Sequence, residues 1–273
     1  MINPAEVRLA TAAMGARWEL LVRGDPTHAR AAGEACVEAI ESLHARWTRF
    51  EPSSMISAMH RAAGEWTRVD HETREALAIA ERWRAASDGA LACASGPTAQ
   101  GRPIEFDGDR VRVAPGTRID LGAIAKGAAL DAVTEIMRDA EVEEAFVHGG
   151  SSAILALGGP WRVAPANSEG APGPTLELRD QVMAVSCSTP LHRSDPHVTD
   201  RRTGVASNAR TVSAIVSKAG RGADADALAT TLCVLGWPSV SLATSAGVRA
   251  LVWSAGAWRD TGAERGISGE NAT

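Results

Sequence analysis

The residue pattern of this 273-residue chain predicts an α+β fold. Hairpin signals and long amphipathic helix patterns are mixed without strict βαβ alternation, which argues against a parallel doubly wound sheet. The strand patterns are short and bounded by turn residues, as at Met14-Gly15 and Asp107-Gly108. No internal repeat is present. At this length one domain with two lobes is expected, about 1–92 and 104–260, followed by a disordered tail at 261–273.

Glu6 to Ala12 and Arg17 to Val22 alternate around Met14-Gly15 and read as a hairpin. Pro26 opens a long helix in which Cys36, Ile40, Leu43, Trp47 and Phe50 recur at helical spacing and give it a buried stripe, until Pro52 stops it. A short helix is expected from Ser54 to Ala62, an extended link at Thr67–Val69, and a second long helix capped by Asp70 and closed by Asp88-Gly89. Residues 93–103 have loop chemistry and mark the expected lobe boundary. The hairpin over 103–113 turns at Asp107-Gly108. Beyond it, strands are expected up to His148, at 153–157, 176–178, 182–186, 211–216 and 248–253. One helix is expected after Gly122 and Gly127, through Leu130, Val133 and Met137, and another over about 225–235 with Leu228, Leu232 and Leu235 as its buried stripe.

Composition excludes several function classes. The chain is 45% hydrophobic and 22% charged, as in ordinary globular proteins, and carries a net charge of −5 without any basic run. Nucleic acid is therefore not an expected partner. No apolar run reaches the length of a membrane span, and Met1–Arg8 lacks the apolar core of a signal peptide, so no membrane partner and a cytoplasmic location are expected. The four cysteines show no C-x-x-C spacing and read as reduced core residues.

Four stretches carry candidate chemistry. In Arg118–Asp131, a strand end, a glycine-interrupted turn and a helix start follow one another, which leaves backbone N–H groups open to an anion. Lys126, one of only two lysines in the chain, lies on the first turn of that helix, where a cation opposes the dipole. A phosphate-binding turn and an ordinary connection with a solvated lysine explain this stretch equally well. In Ala223–Thr231, Asp226 and Thr230 share a helix face and offer two hard oxygens suited to Mg²⁺, although an acidic N-terminal cap by Asp224 and Asp226 is the commoner arrangement. His192–Gly204 contains His197 and Asp200, a potential proton acceptor and a carboxylate to hold its ring, in a stretch that otherwise reads as a polar surface loop. Gly149-Gly150-Ser151-Ser152 permits close backbone approach to a ligand, or is a plain turn. No zinc spacing, G-x-G-x-x-G, Walker A or G-x-S-x-G motif is present.

The order of these blocks is more specific than any one of them. M-G-A-R-W, R-F-E-P-S-S-M-I-S-A-M-H, S-D-G-A, D-L-G-A-I-A-K-G-A-A-L-D, H-G-G-S-S-A-I, S-C-S-T, H-V-T-D-R-R-T-G and D-A-L-A-T-T follow one another along the chain. The series resembles the ApbE-like family of FAD:protein FMN transferases, from residue 14 almost to the C-terminus. The resemblance implies a T-fold-like α+β architecture and a Mg²⁺-dependent enzyme. Such an enzyme joins FMN from FAD to a Ser or Thr hydroxyl of an acceptor flavoprotein, within a flavinylation motif, and releases AMP. By motif position, Asp226, Thr230 and the Ala123 carbonyl would hold the metal. Met14, Phe50, Ala90, Asp120, Lys126 and Val198 would line the FAD site, and His197 would stand near the reacting phosphate. The sequence departs from the family pattern at Arg201, where the family has proline, at His60, where it has asparagine, and in the S-D-G-A-L-A-C-A block, which lacks an aromatic and an aspartate. These departures leave two other functions open: an FAD-binding protein without turnover, and a Mg²⁺-dependent FAD pyrophosphatase.

Overall fold

The computed structural model describes residues 5–96, 101–189, 198–207 and 210–262. Strands β1 (Ala5–Ala13) and β2 (Ala16–Gly24) form the expected hairpin, and α1 (Pro26–Trp47), α2 (Met55–Arg61), β3 (Trp66–Arg68) and α3 (His71–Ala86) follow. The caps act as their chemistry requires: Asp25, Ser54 and Asp70 each accept first-turn amides of α1, α2 and α3. Next come β4 (Ala94–Ser95), β5 (Ile104–Asp107), β6 (Arg110–Val113), β7 (Arg118–Ile119) and α4 (Ala125–Asp139). The remainder is β8 (Glu144–Gly149), β9 (Ala153–Leu157), β10 (Trp161–Val163), β11 (Leu176–Leu178), β12 (Gln181–Cys187), β13 (Val212–Lys218), α5 (Gly222–Leu235), α6 (Ser241–Ser245), β14 (Arg249–Ser254) and β15 (Ala257–Asp260).

One antiparallel sheet organises the molecule, in the order β1-β2-β8-β9-β12-β13-β14-β15. Strands from both sides of the expected lobe boundary share it, because β2 pairs with β8 from Trp18–Gly149 to Arg23–Glu144. Alternate residues of its central strands face two apolar layers. Val182, Ala184 and Ile215 join the large core beneath α1, α4 and α5, while Met183, Ala214 and Val216 meet Leu176 and Leu178 of the β10–β11 ribbon. This two-sided burial explains why β13 is an almost unbroken apolar run rather than an alternating one.

Helix α5 differs from its sequence expectation. Leu228 and Leu232 are buried as expected and Leu235 only partly, but they define no single stripe: Ala225, Ala227, Ala229, Thr231 and Cys233 are buried as well, so the helix lies inside the molecule on nearly all sides. Its acidic residues do not cap it either. Asp131 of α4 accepts the Gly222 and Ala223 N–H groups at 2.5 and 2.9 Å, 91 and 92 residues away in sequence. The expected tail from residue 261 lies outside the described residues beyond Gly262; before that, the Thr261 hydroxyl accepts the Ala250 N–H at 3.0 Å.

Candidate functional site

The N-terminal turns of α4 and α5 cross without intervening side chains. A Cβ on Gly127 would lie 2.0 Å from the Gly222 carbonyl oxygen, and a Cβ on Gly222 would lie 2.3 Å from that of Gly127. Only glycine at both positions permits this approach. The crossing brings Lys126 and Asp226, 100 positions apart in sequence, to one place. The Gly127 N–H donates to Asp226 Oδ2 at 3.1 Å, across the helix pair.

That bond satisfies a first-turn amide of α4, one of those that no intrahelical carbonyl can accept. The Ala123 carbonyl, just before the helix, has no backbone donor among the described residues. Asp226 is only 3% exposed, and burial pushes its carboxyl up from the ordinary range, against the opposing Lys126 charge and the Gly127 N–H. Lys126 forms no ion pair with another described residue, so its charge acts on Asp226 through space.

These groups line one cavity of about 500 Å³. Asp120, Gly122, Ala123 and Lys126 come from the turn between β7 and α4, and Asp226 and Thr230 from α5. Met14 enters from the β1–β2 hairpin, where a two-residue turn holds Met14 and Gly15 at φ 53° and 69°. A side chain at positive φ costs roughly 1 kcal/mol, and here it belongs to a cavity residue. Asp120 is fixed twice, since its Oδ1 accepts the Gly122 N–H at 2.9 Å and its Oδ2 meets Arg49 Nη1 at 3.1 Å.

The opposite wall comes from segments whose sequence carried less signal. Gly149 makes room for the buried Trp18 ring, 2.8 Å from where a Cβ would stand. The turn after it is anchored by the Gly150 N–H to the Arg17 carbonyl at 2.8 Å, which sets Ser151 and Ser152 on the cavity. Ser186 and Cys187 at the end of β12 add to the wall. Cys187 is partly exposed, whereas Cys36, Cys93 and Cys233 are buried and each is pushed up to about 12 by that burial. All four are free thiols.

Val198, Thr199 and Arg201 reach the cavity on a loop pinned by the Arg201 N–H to the Ala90 carbonyl at 3.1 Å and the Ser207 N–H to the Val198 carbonyl at 2.7 Å. Arg201, at the position that breaks the family pattern, thus adds a second cationic residue to the lining. Of the expected site residues, Met14, Ala90, Asp120, Ala123, Lys126, Val198, Asp226 and Thr230 are gathered here. Phe50 does not line the cavity; it is 78% exposed beneath the Arg49 guanidinium, 4.9 Å away. Asp200 does not line it either, being held by Arg202, which keeps its carboxyl below the usual range. His197 lies outside the described residues. Among the described residues no three His, Cys, Asp or Glu side chains cluster as metal ligands, and no helix is long and apolar enough to cross a membrane.

This fold recurs in solved structures of low sequence identity. An ApbE protein from Thermotoga maritima superposes with a TM-score of 0.83 at 22% identity, over 96% of this chain and 98% of that one. The flavin transferase ApbE of Vibrio cholerae gives 0.80 at 20%, over 94% and 96%. The flavinyl transferase ApbE of Pseudomonas stutzeri, in its apo form, gives 0.81 at 20%, over 100% and 99%. No curated protein matches the sequence. Residues 14–101 and 99–252, which include every cavity residue named above, match the ApbE family, and the chain belongs to that family.

Proposed function

We propose that this chain is a Mg²⁺-dependent FAD:protein FMN transferase that moves FMN from FAD to a Ser or Thr hydroxyl of an acceptor flavoprotein and releases AMP. The observation that carries this reading is the α4–α5 crossing: the Gly127 N–H ties Asp226 to the start of α4, and Ala123, Asp226 and Thr230 line one cavity with Lys126. Three hard oxygens of this kind fit Mg²⁺, which takes few protein ligands and completes its sphere with water and phosphate oxygens. Bound there, the ion supplies charge neutralisation at the pyrophosphate.

The chain's own residues do the rest. Lys126 pairs with phosphate oxygens as a compact point charge; the helix start beside it offers less than the sequence suggested, because the Ile124 and Ala125 N–H groups donate to the Leu121 carbonyl and the Gly127 N–H to Asp226. Met14, Ala90, Asp120 and Val198 bound the flavin nucleotide. His197 takes the proton of the incoming hydroxyl, with Asp200 as the carboxylate that holds its ring. The hydroxyl oxygen bonds to the FMN phosphorus as the bridging P–O bond breaks, and AMP departs with the electron pair. Incubation with FAD, Mg²⁺ and an acceptor protein containing a flavinylation motif tests the proposal. AMP and covalently bound FMN should appear in equal amounts. AMP with free FMN alone would make the protein a pyrophosphatase, and no AMP would leave a flavin-binding protein.

A further inference from the structure

Strand β7 is two residues long, yet the turn that carries Asp120, Ala123 and Lys126 starts from it. On one side the strand is held by β4, with Ala94 opposite Ile119 and the Asp120 N–H donating to the Cys93 carbonyl at 2.8 Å. The Ile119 N–H points the other way. It donates to Nε2 of His60, on α2, at 2.7 Å. Ile119 is fully buried, so its amide has no recourse to water if that acceptor is lost.

An imidazole nitrogen accepts only while it is unprotonated. A proton on Nε2 sets two donors against each other and leaves a buried amide unpaired. We infer that His60 is a positioning residue for the phosphate-binding turn: its neutral ring fastens β7, and its protonation releases the turn. The flavin consequence rests on the function proposed above; the fastening does not. Burial, first, and the Arg118 charge both disfavour the protonated ring, so the fastened state prevails at neutral pH. Several of the charged groups on the elements packed against α2 are engaged with other partners. On β6, Arg110 pairs with Asp107 and Arg112 with Glu105; on α1, Arg46 pairs with Asp70 and Glu72, and at its end Arg49 pairs with Asp120. Arg61 on α2 itself donates to the Pro52 carbonyl.

Hydrogen exchange of residues 119–125 in the ligand-free protein, corrected for intrinsic rates, tests this at pH 7.5 and pH 5. Wild type should lose about tenfold in protection at the lower pH, the scale of one lost hydrogen bond to a buried amide. His60→Gln, which offers a non-titrating acceptor at similar reach, should keep its protection at both values. His60→Asn serves as the second variant if melting shows that glutamine disturbs α2. Affinity for FAD should fall with acid more steeply in wild type than in the glutamine variant, in which Asp131 and Asp226 still titrate. Equal acid sensitivity in both proteins, or none in wild type, would overturn the inference. Failure to bind FAD at any pH would instead overturn the functional reading, with the exchange result still deciding the role of His60.

Discussion

Asp226 has two oxygens with different duties: Oδ2 accepts an amide from α4, while no described residue donates to Oδ1. Asp226→Asn retains an oxygen for the Gly127 N–H and removes the charge. Titration calorimetry should show Mg²⁺ and FAD tightening each other's binding by one common factor in wild type and not in the variant. The melting temperature should change little, because the burial penalty on the carboxylate is removed along with its charge. Lys126 should behave differently. Removing one charge-assisted phosphate contact costs ~1.5–3 kcal/mol, so Lys126→Ala should weaken FAD binding by at least tenfold and leave riboflavin binding unchanged by fluorescence titration. Much at this scale was legible in the sequence: the four-residue spacing of Asp226 and Thr230 and the position of Lys126 both follow from helix periodicity. Arg201, Ser186 and Cys187 were not legible as cavity residues, since nothing in a strand end or a polar loop states which cavity it will face.

Between elements, the tight place is the α4–α5 crossing. Gly127→Ala drives a Cβ into the Gly222 backbone, and overpacking of this kind costs ~1–3 kcal/mol. Chemical denaturation should show that loss, and FAD binding should fall with it because Lys126 and Asp226 separate. Asp131 is the second tie. Burial raises its carboxyl to about 6 against the two amides it accepts, so the folded protein holds its proton more tightly than the unfolded chain does. Its contribution therefore favours folding most below the unfolded value near 4 and diminishes as pH rises to about 6. Asp131→Ala removes that downward slope between these pH values. It also removes a cap worth ~0.5–2 kcal/mol, which denaturation midpoints across the range would report. The α5 cap escaped sequence reading because the capping residue comes from another helix, while Asp224, the acid in the expected place, is taken by Trp83 Nε1 at 2.8 Å and by Arg82.

Over the whole molecule, the helix pair rests on the central sheet and the ligand site straddles two segments that are remote in sequence. A ligand bound to both segments stabilises the fold by mass action, about 2.7 kcal/mol at a hundredfold excess over its dissociation constant. FAD with Mg²⁺ should raise the melting temperature by roughly 5–10 °C at that excess, and FAD with a chelator by much less. Scanning calorimetry would settle it; equal shifts with and without metal would oppose the proposed site. The α+β class was legible from the alternation of hairpins and helices. The strand end at β7 was legible too, but the two-residue β4, the three-residue β10 and the edge strand β15 were not, because such short runs carry no usable period and exist only through their partners.

The Gly127–Gly222 contact also bears on how such a chain can change over time. Compensation usually works by exchange of volume, one side chain growing as its neighbour shrinks. Here both partners are already at the minimum, and each Cβ would strike the other's main chain rather than a side chain. No substitution at one glycine can be relieved at the other. The closest approach between the two halves of the site therefore admits no paired replacement, and two unchanging glycines are the expectation among relatives.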